Sequence, residues 1–135
     1  MALKVLALGG DGIGPEVVDA ALQVLEVASK SIGLPLDISE DVLGWTAWER
    51  YGTVIRPTTL SKAHACDALL VGAVGDPKWD HIVIEGGPED QDGLMKLRHE
   101  LQVFACLRWA RAHDALLKRT AFKPEVISNT DLIVM

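Results

Sequence analysis

The chain has 135 residues, the length of one ordinary domain, and 49% of them are apolar, enough for a packed core. Its net charge of −6 argues against nucleic acid as a partner, because phosphate binding needs an excess of Lys and Arg on one face. No apolar run approaches the roughly 20 residues needed to cross a bilayer, so no membrane partner is expected.

Residues 3–8 (LKVLAL) predict a short apolar strand that runs into Gly9-Gly10-Asp11-Gly12-Ile13-Gly14-Pro15-Glu16. This start does not read as a secretion signal: its apolar part is too short and has no small-residue cleavage site. Pro15 and Glu16 suit the first turn of a helix, where proline loses no needed donor and glutamate meets the positive dipole end. Val17, Val18, Ala21, Leu22, Leu25 and Ala28 then keep helical spacing as far as Gly33, a C-terminal cap. With a strand expected near 36–39, the opening is a βαβ unit and the fold an α/β type with a partly parallel sheet.

The glycine turn invites a nucleotide reading that its spacing does not meet. A dinucleotide fingerprint needs G-x-G-x-x-G, and after Gly10 and Gly12 the third position is Pro15. A phosphate loop needs a lysine after its last glycine, and none follows. What remains is bare backbone at a strand end, where open α/β sheets bind their ligands.

Residues 44–51 predict a short helix whose Trp45 and Trp48, three apart, read as core anchors. Residues 57–65 predict another helix, entered through Pro57. Residues 67–71 predict a strand that opens into a second glycine-rich loop, Gly72-Ala73-Val74-Gly75, followed by Asp76-Pro77-Lys78-Trp79-Asp80. If the two strands are parallel, both loops lie at the same end of the sheet. Residues 82–93, acidic and rich in Gly and Pro, suit a surface loop.

The stretch 93–111, GLMKLRHELQVFACLRWAR, reads as a helix followed by a strand over 104–108. Leu94, Leu97 and Leu101 form one buried stripe, and Arg98 projects between Leu94 and Met95. A guanidinium beside adaptable apolar side chains suits a small molecule with a carboxylate at one end and an alkyl group at the other. The plain alternative is that Arg98 and Arg108 are solvated surface charges, as isolated arginines usually are. Residues 113–119 predict a short helix or turn, and 131–135 (DLIVM) a strand with no cap after it. That ending leads us to expect a piece of something longer. Cys66 and Cys106 read as reduced core residues of a cytoplasmic protein. His64, His81, His99 and His113 show no metal-ligand spacing, so no zinc site is expected.

With GDGIGPEV at 10–17, GAVGDPKWD at 72–80 and the arginine stretch in that order, the chain resembles the β-decarboxylating isocitrate/isopropylmalate dehydrogenase family. The resemblance covers the whole chain but only about the first third of a family member. It implies a non-Rossmann open mixed sheet flanked by helices, incomplete here. Residues 1–103 would be the N-terminal part of the first, cofactor-side domain, and 104–135 the start of the second, a dimerisation and substrate domain. It further implies a cytoplasmic homodimer, NAD, and Mg²⁺ or Mn²⁺. The reaction implied is the oxidation and decarboxylation of a 2-hydroxy acid, here 3-isopropylmalate going to 2-oxoisocaproate in leucine biosynthesis. By position, Arg98 and Arg108 would clamp the malate carboxylates, and Leu94 and Met95 would face the alkyl group. Ile13, Gly72, Ala73, Val74 and Gly75 would lie near the nicotinamide. Isocitrate-directed members generally carry polar groups at the positions of Leu94 and Met95. The third substrate arginine, the catalytic tyrosine and lysine, the metal-binding aspartates and the adenosine segment would all fall after Met135, so no residue here takes a catalytic or metal-binding role. Trp109 stands where members usually carry proline, as does Ala121. A tartrate- or malate-type relative, or an inactive truncated paralogue that binds a small dicarboxylate or a partner chain, remain the alternative readings.

Overall fold

The computed structural model describes residues 2–85 and 91–135; the rest, including 86–90 of the expected surface loop, lie outside the described residues. The chain divides into two compact units, Met1–Gln102 and Val103–Met135.

The first unit is built on a parallel sheet of order β2-β1-β3, with β1 (Leu3–Gly10) central, β2 (Leu36–Asp41) on one side and β3 (Ala68–Ala73) on the other. The register runs from Leu3 opposite Leu36 to Leu8 opposite Asp41, and from Val5 opposite Ala68 to Gly10 opposite Ala73. All three strands therefore end on one edge. The chain leaves β1 to one neighbour and then crosses to the other, so β1 is the point where the strand order reverses.

Helix α1 (Gly14–Ile32) carries β1 to β2 and packs on β1 and β3. It begins with proline in its first turn and Glu16 beside it, and ends at Gly33 in the left-handed region (φ 70°). Val18 is buried and Ala21, Leu22 and Leu25 are half-buried, while Val24, Val27 and Ile32 stay exposed.

Helices α2 (Trp45–Tyr51), α3 (Pro57–Ala65) and α4 (Gly93–Glu100) complete the unit. Its core joins Leu6 and Leu8 of β1 to Leu43, Ile55, Ala63 and Leu97, with Leu94 and Leu101 packed against it. Alternation along β1 sends Leu6 and Leu8 to this face and Val5 and Ala7 to the other. Each fully buried leucine contributes about 1.5–3 kcal/mol of apolar transfer. The expected stripe of α4 is thus present: Leu97 is fully buried, and Leu94 and Leu101 flank it.

Asp41 ends β2 as a buried carboxylate with two cations. It accepts hydrogen bonds from Arg56 at the start of α3, from Lys62 at 2.8 Å and from the Val42 amide at 2.8 Å. Burial pushes its pKa up, but those donors and the Lys62 charge outweigh it and hold the group at about 2, below its usual 3.8. The Arg56 guanidinium lies 4.1 Å from the Tyr51 ring centroid, which ties α2 to α3.

The second unit pairs β4 (Arg108–Arg111) antiparallel with β5 (Asp131–Val134), with a one-turn helix α5 (Pro124–Ile127) and a 3₁₀ segment (Asp114–Arg119) between them. The strand expected over 104–108 is therefore displaced. Residues 104–107 find no partner strand among the described residues, Phe104 is fully exposed, and only Arg108 onward lies opposite β5. Cys106, expected in a core, is exposed, whereas Cys66 is half-buried against the first unit's core. Helix α5 was not expected from the sequence. Trp109 uses its side chain as a donor: the indole N–H bonds Asp131 Oδ1 across the strand pair at 2.8 Å.

Candidate functional site

The C-terminal edge of the parallel sheet gathers three loops: residues 10–14 after β1, 42–46 before α2, and 73–75 after β3. The two glycine-rich loops are in backbone contact. The Asp11 amide donates to the Ala73 carbonyl at 2.7 Å. A Cβ on Gly10 or Gly14 would strike Ala73, and one on Gly72 would strike the Gly9 carbonyl. These glycines are needed because the ends of β1 and β3 and the start of α1 approach more closely than side chains permit. Their absence of side chains is thus used where these backbones meet, a purpose the sequence motif alone does not disclose.

Asp11 is the centre of this edge, and the sequence reading did not single it out. It is buried and accepts from two distant amides, Thr46 N–H on Oδ1 at 2.7 Å and Gly75 N–H on Oδ2 at 2.9 Å. Helix α2 is preceded by Gly44, which has no side chain to cap it, and Asp11 supplies the missing oxygen from the turn after β1. Thr46 returns a bond, its hydroxyl donating to the Gly10 carbonyl at 3.0 Å.

The structure brings Ile13 and residues 72–75 together at this edge. Ile13 ends its turn 56% exposed, an apolar side chain open to solvent beside the loop. Val74 packs against the core, and Gly75 is exposed with φ 103° and open space where a Cβ would stand. Beyond Gly75, Trp79 stacks on Trp45 at 5.7 Å between centroids and 17° between planes. Trp45 meets Trp48 edge-on, but both are half-buried and neither joins the core cluster, so the expected core anchors lie outside the core, and the Trp45–Trp79 stack holds the 72–80 loop to α2.

Leu94, Met95 and Arg98 share α4. Asp92 caps that helix by accepting from the amides of Leu94 at 2.8 Å and Met95 at 3.3 Å. Leu94 leans on the core, whereas Met95 is 42% exposed. Arg98 is half-buried and, among the described residues, makes no hydrogen bond or ion pair. Half-buried arginines ordinarily satisfy some of their five donors, so an unpaired fork beside exposed Met95 is suited to receive an anion. Arg108 lies in the second unit, exposed on β4 opposite Val134.

Two implied ligands can be tested against these residues. Among the described residues no group of three or more His, Cys, Asp or Glu could hold a metal ion. The Ile13 edge and the open backbone at Gly75 fit the flat, weakly polar end of a nicotinamide.

A parallel sheet reversing at β1 and flanked by helices, with loops meeting at the strand ends, makes this an α/β fold. The chain belongs to the isocitrate/isopropylmalate dehydrogenase family, whose model matches residues 4–135. The 3-isopropylmalate dehydrogenase of Pseudomonas fluorescens is 41% identical over 135 residues, covering 100% of this chain and 37% of that protein. That of Chlorobaculum tepidum is 40% identical over 134 residues, covering 99% and 38%. The chain thus spans little more than a third of the length of the curated relatives it matches. Among solved structures, isocitrate dehydrogenase from Methylococcus capsulatus aligns with a TM-score of 0.70 at 28% identity, over 97% of this chain and 33% of that one. A β-decarboxylating dehydrogenase from Thermococcus kodakarensis aligns with a TM-score of 0.67 at 25% identity, over 98% and 32%. No helix among the described residues is long and apolar enough to cross a membrane.

Proposed function

We propose that this chain is the N-terminal portion of an NAD-dependent 3-isopropylmalate dehydrogenase, a cytoplasmic homodimer that serves leucine biosynthesis and works with Mg²⁺ or Mn²⁺. The relatives at about 40% identity carry that name, and the observation that carries the reading onto this chain is the unpaired Arg98 next to exposed Met95. In the reaction the substrate C2–H leaves as hydride while the hydroxyl proton departs. The resulting ketone then lets the carboxylate on C3 leave as CO₂, and the enolate left behind takes a proton at C3 to give the 2-oxo acid. NAD, when bound, is the hydride acceptor.

The residues of this chain bind and orient. Arg98 holds one malate carboxylate through its two-pronged donor fork, and Arg108 holds a second carboxylate. Met95 offers a flexible apolar surface to the isopropyl group, with Leu94 behind it. Ile13 and Gly72, Ala73, Val74 and Gly75 form the wall at the nicotinamide end. The described residues hold no donor set for the divalent ion, so no step is assigned to it.

The gene product carrying this chain is expected to reduce NAD with 3-isopropylmalate and Mg²⁺. Arg98→Ala should lower kcat/KM about a hundredfold, the size expected when a charge-assisted hydrogen-bond pair is lost. Residues 1–135 alone should bind without turnover: 3-isopropylmalate should raise their Tm, and Arg98→Ala should abolish the rise. A rise that survives the substitution sinks the role given to Arg98, and NAD reduction by residues 1–135 alone sinks the assignment of catalysis to later residues.

A further inference from the structure

We propose that Asp11 is a positioning residue that fixes the 72–75 loop against the Ile13 turn and so sets the affinity for NAD; the inference rests on the functional reading above. Asp11 makes four bonds to three segments: two to the loop after β3, one within its own turn and one to the start of α2. Its amide holds the Ala73 carbonyl at 2.7 Å and its carbonyl takes the Gly14 amide at 2.8 Å. Its two carboxylate oxygens divide between Thr46 and Gly75. One side chain therefore spans the turn that carries Ile13, the start of α2 and the loop after β3.

The chemistry requires a carboxylate. Both partners are N–H donors, so both side-chain atoms must accept. Among the described residues no cation pairs with this buried group. Its stabilisation comes from two amides, one of them at the N-terminus of α2, where the helix dipole favours negative charge. The space around it is equally specific, since a Cβ on Gly44 would collide with the Asp11 carboxylate. Gly75 needs the restraint more than Thr46 does. Thr46 is held by α2, whereas Gly75 is exposed, at φ 103°, with open space around it. Without Asp11 its amide can turn to water and the loop edge is no longer fixed beside Ile13.

Asp11→Asn is nearly isosteric but presents an NH₂ to one of the two amides, so one bond is replaced by an opposition of donors. The bond to Gly75 is the one expected to open. In the full gene product, Asp11→Asn should raise the equilibrium Kd for NAD, read from tryptophan fluorescence, about tenfold, and raise KM for NAD in step. KM for 3-isopropylmalate should stay within about twofold, and the Gly75 amide should exchange hydrogen faster. An unchanged Kd despite faster exchange at Gly75 overturns the proposal, and so does a parallel rise in both KM values, which marks a general loss of structure. Should Asp11→Asn fail to fold, Gly75→Ala strains the same turn from its other side without a clash, and it should give the same split between the two KM values. A Gly75→Ala protein with wild-type Kd refutes the inference. If the wild type binds no NAD, the functional reading falls first and this inference with it; if the wild type binds and the variants do so equally well, only the role of Asp11 falls.

Discussion

Replacing Asp41 by Asn should remove a pH-dependent part of the stability of the first unit. The carboxyl is held at about 2, against 3.8 for the ordinary group, a difference just under two pH units. At 1.36 kcal/mol per unit, the ionised form is favoured in the folded chain by about 2 kcal/mol. The Asp41 side chain is only 2% exposed, but that of Lys62 is 46% exposed, so solvent screens part of its attraction and the expected effect is about 1–2 kcal/mol. Because the folded pKa lies below the unfolded one, the contribution is complete above about pH 4 and is lost as pH falls towards 2. Urea denaturation of wild type and Asp41→Asn, repeated between pH 7 and pH 2, measures this directly. Asn still accepts from the Val42 amide and from Arg56, so the lost component is chiefly ionic. The difference between the two proteins should be largest at neutral pH and shrink below pH 4. A difference that stays constant across the range would mean that Asp41 acts through packing alone, and the electrostatic argument would be wrong.

Two further substitutions test the helix that carries Arg98. Leu97→Ala should destabilise the first unit by about 3 kcal/mol, because the site is fully buried among Leu6, Leu8 and Leu43, and a Tm within a degree of wild type would contradict that packing. Asp92→Ala removes the side-chain cap of α4 and should cost about 1 kcal/mol, with a matching rise in amide exchange at Leu94 and Met95. If exchange there does not change, the cap is not what orders the first turn.

Much of the first unit was legible because its signals act over a few residues. The apolar run from Leu3, Pro15 inside the first turn and Gly33 past the last one mark out β1 and α1, since each satisfies or withholds backbone groups within one turn. The same local punctuation gave α3 as 57–65, its observed extent. The stripe of Leu94, Leu97 and Leu101 followed from helical period alone, and with it the place of Arg98 on α4. In the second unit these signals fail. An apolar run becomes a strand only where another strand pairs with it, and the partner starting at Asp131 selects Arg108–Arg111 over 104–108.

The candidate site divides along the same line. The sequence by itself supplied two glycine turns at strand ends and an arginine beside apolar neighbours, because residue type and spacing are local facts. The tertiary structure decided what the glycines are for: the ends of β1 and β3 and the start of α1 meet backbone to backbone, and Gly10, Gly14 and Gly72 stand where that contact leaves no room for a Cβ. It also decided that Asp11, one polar residue within a glycine turn, holds the edge together. Its partners Thr46 and Gly75 stand 35 and 64 residues away along the chain. No periodicity or cap signal reaches that far. Only a parallel sheet that ends all three strands on one edge brings those amides within reach of a single carboxylate.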